Sequence, residues 1–296
     1  MAALTETDRG GHRSSAFFHR HTGTRLAASL APSGVWMIVI YLGALVILLM
    51  TAFWTVDTLT GAVVHSWTLK NFHTMAEDPT FRKIALRTMG MAAAVTLTDI
   101  VFAFPLAYYA ARIASPRARA ALVISIVLPL WSSYLVKAFA WQTILEGNGP
   151  AQAVLKAIGI NASLAFTKWA VWITFTYLWL PFVALPIFAS LERIPESFIE
   201  ASGDMGATGW TTFRRVILPL AMPGIVAGSI FSFSLTLGDY IAPTLVGNTQ
   251  FIGNVIKNYS GVANNLPFAA AYAFVPIAIM ALYLLAARAF GAFEAL

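Results

Sequence analysis

Glu200-Ala201-Ser202-Gly203-Asp204-Met205-Gly206, followed by Val216-Ile217-Leu218-Pro219, is a polar, punctuated segment set tight between two apolar stretches. Those stretches cover roughly 169–191 before it and 216–240 after it. About 20 apolar residues, rising 1.5 Å each, cross a bilayer. A membrane protein that keeps an organised polar segment in such a short loop offers it to a partner in the water phase.

Further apolar stretches lie at roughly 33–55, 88–111 (with Asp99), 119–143 (with Lys137) and 268–290 (with Pro276), giving six expected spans. Pro181, Pro186, Pro219 and Pro223 fall within or at the start of spans, where neighbouring helices satisfy the freed carbonyls, so they predict kinks. The composition agrees: 58% of the 296 residues are hydrophobic and 11% charged, against about 25% charged in soluble domains. Little sequence remains for a separate soluble domain. The absence of cysteine excludes disulfides, thiolate metal sites and cysteine nucleophiles. The net charge of +6 is no nucleic-acid signal, because Lys and Arg gather at the ends of apolar stretches.

Residues 1–25 are polar and basic and read as a mobile cytoplasmic tail, with a membrane domain over 26–296. A signal peptide also starts basic and turns apolar, but this run is too long for one and more spans follow. With the N-terminus inside, arginine falls almost wholly on the inner side: Arg9, Arg13, Arg20, Arg25, Arg112, Arg117, Arg119, Arg193, Arg214, Arg215 and Arg288. The outer side holds Lys70, Arg82, Lys83, Arg87, Lys156, Lys168 and Lys257. Both termini and the loop 192–219 are then cytoplasmic.

Within that loop Pro195 can open a helix, and Glu196 and Glu200 suit its early turns. Gly203 and Gly206 permit a turn or the close approach of another surface. An ordinary amphipathic connector has the same features. The full pattern, however, resembles the EAA loop of importer-type ABC transporter permeases: Glu-Ala-Ala, three residues, Gly, nine residues, then Ile-x-Leu-Pro. Glu200, Ala201, Gly206, Leu218 and Pro219 match at that spacing, while Ser202 and Val216 depart mildly. The resemblance implies an all-α membrane protein of six transmembrane helices, type I ABC importer permease-like, in a bacterial inner membrane. It implies that the loop, Ser202, Gly203 and Asp204 included, docks on an ATPase subunit, Glu200 by polar contact and Ala201 and Gly206 by allowing close approach. No Walker-type sequence occurs here, so ATP and Mg belong to the partner ATPase and this chain needs no cofactor. The implied partners are an ATPase dimer, a second homologous permease, an extracytoplasmic solute-binding protein and the lipid membrane.

Leu237–Gly247 and Ile252-Gly253-Asn254-Val255-Ile256 resemble permeases of polyamine (spermidine/putrescine) importers; relatives for opines, aminophosphonates and other small solutes are similar. Ionisable groups inside spans are rare and expensive, so Asp99 and Asp239 are candidate path residues. Ser229, Ser232, Thr236, Asp239 and Tyr240 recur at three- and four-residue steps, a polar face that suits a water-accessible path. Carboxylates with nearby aromatics would suit a cation. Blander readings stand beside these: Asp99 paired with Lys137 or hydrogen-bonded to Thr96, and Asp239 as a polar cap. Gly224, Gly228 and Ser232 form a small-residue stripe that faces span four or a partner permease. A secondary transporter would need charged mid-depth sites, which only Asp99 offers. An intramembrane enzyme finds no support, since His12, His19, His21, His65 and His73 all lie outside the spans.

Overall fold

The structure, a computed structural model, describes residues 22–57, 59–160 and 163–289. Residues 1–21 of the basic tail read over 1–25 lie outside the described residues, as does Phe290 at the end of the sixth expected span; helix has already begun at Thr22. The apolar part of this first helix is Leu30–Thr51 (α1). A two-residue hairpin follows, Thr55–Val56 (β1) paired antiparallel with Val63–Val64 (β2), Thr55 opposite Val64. Lys70–Glu77 (α2) then leads into the long helix Pro79–Ile113 (α3). Next come Pro116–Trp131 (α4), Tyr134–Leu145 (α5) and Pro150–Ala157 (α6). Lys168–Glu192 (α7), Glu196–Asp204 (α8) and Gly209–Gly238 (α9) follow. Ile241–Val246 (α10), Ile252–Ser260 (α11) and Leu266–Ala289 (α12) complete the chain.

Five of these helices, α1, α3, α7, α9 and α12, are long and apolar enough to cross a membrane, and the bent pair that opens with α4 brings the number to six if it is counted as one span. The protein is an all-α membrane protein. Its centre is α7, wedged between α3 and α9: Val183, Ala184, Ile187 and Leu191 pack on Ala103 and Ala107 of α3 and on Ile217 and Ala221 of α9. Lipid offers no hydrophobic drive for helix association, so close contact of small residues decides the packing. Gly224 and Gly228 supply that contact. A Cβ at 224 would stand 2.5 Å from the Pro186 carbonyl oxygen, and one at 228 would stand 2.9 Å from Val183 Cα. The stripe therefore seats α9 on α7 of the same chain. The first helix is the opposite case, with Trp36 71% and Tyr41 70% exposed.

Span three differs from expectation. One continuous helix was expected over 119–143, but the axis bends by 96° where α4 stops. Ser132 and Ser133 are extended (ψ 147° and 138°). The Ser132 hydroxyl and the Lys137 Nζ each donate to the Pro129 carbonyl at 3.1 Å. These two bonds satisfy an acceptor that a continuing helix would have bonded itself. Lys137 is thus a cap across the break and not a partner of Asp99.

Among the described residues, three π-wound turns interrupt the long helices, at Ile38–Leu42, Tyr109–Ile113 and Phe213–Ile217. The last lies next to α8.

Candidate functional site

The segment 192–219 folds as a short helix bolted to the bundle end. After α7 stops, Arg112 from the π-wound end of α3 donates to the carbonyls of Leu191 and Ile194, each at 2.6 Å. Arg119 of α4 donates to the Ala110 and Ala111 carbonyls (3.1 and 3.0 Å) and pairs with Glu192 at 3.2 Å. Two arginines thereby satisfy carbonyl oxygens at or just past helix ends. Pro195 then precedes α8, with Glu196 in its first turn. The far end closes at Gly206, whose positive φ of 76° a side chain would strain, with Gly206 N–H on the Gly203 carbonyl (2.8 Å) and Ala207 N–H on that of Ser202 (3.1 Å). Thr208 caps the next helix by accepting from the Thr211 N–H at 3.4 Å.

This frame fixes which face α8 shows. Glu200, Ala201, Gly203, Asp204 and Gly206 are exposed. Beside them stand large apolar side chains, Met205 at 81%, Trp210 at 69% and Phe198 at 50% exposure. Ser202 points the other way: it is buried, and its hydroxyl shares a 2.9 Å hydrogen bond with that of Thr212 in α9. Leu218 is half-buried, and Pro219 joins Phe198, Arg193 and Pro223 in lining a cleft between α8 and the start of α9. The resulting surface combines acidic groups, a flat small-residue patch and an apolar rim on a fixed helix. Such a surface can receive another protein.

The intramembrane polar residues form a second group, inside the chain. Asp99 is fully buried between α3 and α9, where its Oδ2 accepts from the Ser232 hydroxyl at 2.6 Å and its Oδ1 has no partner among the described residues. Thr96 donates to the same Ser232 oxygen at 3.4 Å, and Thr236 turns back onto the Ser232 carbonyl at 2.8 Å. Ser229 accepts from Tyr283 of α12 at 2.7 Å, beside a Phe233–Tyr283 stack with centroids 4.4 Å apart. The structure brings Asp99, Ser229, Ser232 and Thr236 together as a seam joining α3, α9 and α12.

Asp239 and Tyr240 do not continue the helical face, because α9 ends at Gly238. Asp239 Oδ1 accepts the N–H groups of Ile241 (2.7 Å) and Ala242 (3.1 Å), which starts α10, while Oδ2 accepts a short bond from the Tyr134 hydroxyl of α5. Asp239 is therefore a cap that also ties α5 to the end of α9. Tyr240 is 38% exposed with the Lys257 ammonium 5.9 Å above its ring. The two sequence stretches around it touch. A Cβ on Gly253 would stand 2.6 Å from the Asp239 carbonyl oxygen, and the Asn254 amide donates to the Tyr240 carbonyl (3.0 Å) and the Thr244 hydroxyl (2.8 Å). Sequence reading missed Tyr134 and the bonding roles of Arg112 and of Asn254, which stood in the quoted stretch Ile252–Ile256. Arg112 left one trace, an arginine placed at the end of an apolar run.

Comparison with known proteins agrees with this geometry. Residues 103–294 match the family described as binding-protein-dependent transport system inner membrane component. The chain is 43% identical over 297 residues to the inner membrane ABC transporter permease protein YdcU of Escherichia coli (strain K12), covering 95% of each chain. It is 31% identical to the spermidine/putrescine transport system permease protein PotB of the same strain, over 74% of this chain and 81% of that one. Among solved structures it is similar to a chain of a bacterial ABC transporter involved in the import of alginate, with a TM-score of 0.69, 19% identity, and coverage of 94% of this chain and 98% of that one. At that identity the last likeness speaks for the fold alone. Taken with the five or six membrane-crossing helices and the non-catalytic exposed helix between α7 and α9, these matches make the chain a member of the binding-protein-dependent transport system inner membrane component family, a non-enzymatic permease subunit of an ABC importer located in the inner membrane.

Proposed function

We propose that this chain takes ATP-derived motion through α8 and passes it to its membrane helices, importing a polyamine such as spermidine or putrescine by alternating access. The observation that carries the reading is the exposed Glu200–Gly206 face held by Arg112 and the Ser202–Thr212 bond. A helix fixed at both ends moves as a lever with α7 and α9, so force from an ATPase pair reaches the bundle without being lost in a slack loop. Glu200 and Asp204 give polar orientation, and Ala201 and Gly203 allow close seating. A cytoplasmic position for this end fits the arginines clustered around it, Arg112, Arg119, Arg193, Arg214 and Arg215. A second permease would complete the path, and a solute-binding protein would deliver cargo from the opposite side.

The polyamine assignment is supported by the spermidine/putrescine permease relatives. One observation favours a second reading within the same importer class, another small solute such as an opine or aminophosphonate. Asp239 is engaged by two backbone N–H groups and Tyr134, and Lys257 already lies over Tyr240, so neither presents an open cation site.

The test reconstitutes the chain with its ATPase, second permease and binding protein. Glu200→Ala is expected to lower ATP-driven uptake about tenfold, within the 1–3 kcal/mol typical of coupling between sites, while leaving the melting temperature unchanged. Wild-type uptake with unaltered ATPase association would overturn the lever. Transport of neither spermidine nor putrescine, with transport of an opine or aminophosphonate, would remove the polyamine assignment and leave the lever standing.

A further inference from the structure

On the outside of the bundle, α3 and the first turn of α7 enclose a groove of about 580 Å³ whose two ends differ in chemistry. At one end stand Arg87 and Lys168 with Trp169 and Trp172, whose rings meet edge to face at 5.7 Å. The side-chain polar groups here are donors only: guanidinium, ammonium and indole N–H accept nothing. Among the described residues, no carboxylate lines the groove. Arg87 is held at the mouth by one bond to the Gln250 carbonyl at 3.2 Å. The Trp172 indole nitrogen is buried and has no partner among the described residues.

Along the other end the wall is apolar. Met91 and Ala94 line it, and the Thr98 hydroxyl is turned back onto the Ala94 carbonyl at 2.8 Å. Gly90 leaves the trough open, with nothing within 4 Å of where a Cβ would stand. The eleven residue steps from Arg87 to Thr98 rise about 16 Å at 1.5 Å each. That length matches roughly half of a hydrocarbon core about 30 Å thick, the depth of one leaflet.

We infer that this groove is a binding site for an anionic phospholipid of the adjoining leaflet, its phosphate between Arg87 and Lys168 and an acyl chain along Gly90 to Thr98. Charge and length together select that occupant. A free phosphate would satisfy the donors and leave the apolar trough unfilled. An apolar helix from another subunit would fill the trough and leave two cations desolvated without counter-charge, which is costly. The tryptophans belong at headgroup level, where amphipathic rings sit. Basic pockets between membrane helices attract anionic headgroups through the same Coulomb term.

The test is native mass spectrometry on the purified transporter complex, equilibrated with phosphatidylglycerol or phosphatidylcholine of equal acyl length. Retention of phosphatidylglycerol over phosphatidylcholine is expected. Arg87→Ala with Lys168→Ala should cut that preference about thirtyfold, for the loss of two headgroup contacts, while Lys156→Ala, which removes a charge outside the groove, should leave it unchanged. Ala94→Trp, which blocks the acyl end and keeps both cations, serves if the double variant fails to fold and should also lower retention. A photo-crosslinker at position 94 should capture lipid. Unchanged retention in the double variant or in Ala94→Trp, equal displacement by inorganic phosphate, or capture of a second permease helix at position 94 would each overturn the site.

Discussion

Arg112→Ala should unhook the α8 segment from the bundle without touching the surface it exposes. The side chain makes two charge-assisted bonds of 2.6 Å to the Leu191 and Ile194 carbonyls. Hydrogen bonds to charged groups contribute about 1.5–3 kcal/mol each. The residue is half-buried, and water can replace part of what is lost, so about half of the summed value, roughly 1.5–3 kcal/mol, is expected. That biases docked against undocked states of the segment by about 12- to 140-fold, at 1.4 kcal/mol per factor of ten. The chain has no cysteine, so spin labels on cysteines introduced at Asp204 and Ile113, both exposed, are unambiguous. The otherwise unmodified chain should give one narrow label-to-label distance and the Arg112→Ala form a broad one, with uptake per ATP falling as well. Arg112→Lys, which can reach one carbonyl, should fall between. A narrow distribution in Arg112→Ala at an unchanged melting temperature would refute the clamp.

Gly228→Val drives a side chain into Val183, whose Cα is already 2.9 Å from an added Cβ; overpacking of this kind costs about 1–3 kcal/mol and should lower the detergent-solubilised melting temperature. Gly203→Ala meets nothing within 4 Å, so the same measurement should show no change. Ser232→Ala removes the hydroxyl that Asp99 accepts from and should cost about 1–3 kcal/mol, as for a buried polar group left unpaired, whereas Asp99→Asn keeps an acceptor and should cost less. At Asp78 the carboxylate accepts from the Thr80 N–H and caps α3, which holds its pKa below the ordinary aspartate value of 3.8. A depressed folded pKa gives stability that is present above 3.8 and lost as pH falls through the lower folded value, so hydrogen exchange at Thr80 should quicken there, and Asp78→Asn should remove the dependence.

The membrane class and the helical architecture were legible because a bilayer imposes a length of apolar sequence that little else produces. The helix at Glu196–Asp204 was legible too, since Pro195, Glu196 and Gly206 are local signals that act on their own neighbours. What escaped is decided by distant partners. The break at Ser132–Ser133 carries no glycine, and its stabilisation comes from Lys137 on Pro129 and from Tyr134 reaching Asp239, 105 positions away. The exit of Asp239 from α9 rests on the same bond and on the close approach of Gly253. The stripe on α9 was readable as a packing face, but only the Pro186 and Val183 backbones name its partner.

The wide turn at Phe213–Ile217 gives the spacing of the loop a geometric meaning. Each residue of an α-helix turns the chain by about 100°. A π turn carries one residue more than the helix needs, so deleting any one residue there would let the turn relax to α and keep the span intact. Everything on its N-terminal side, the Glu200 face included, would keep close to its present heading, because the wider turn already absorbs the extra residue; the same deletion in the α-wound part of α9 would swing that face by about 100°. The nine residues between Gly206 and Val216 thus set an angle as well as a distance: the heading of the lever is written in a residue count.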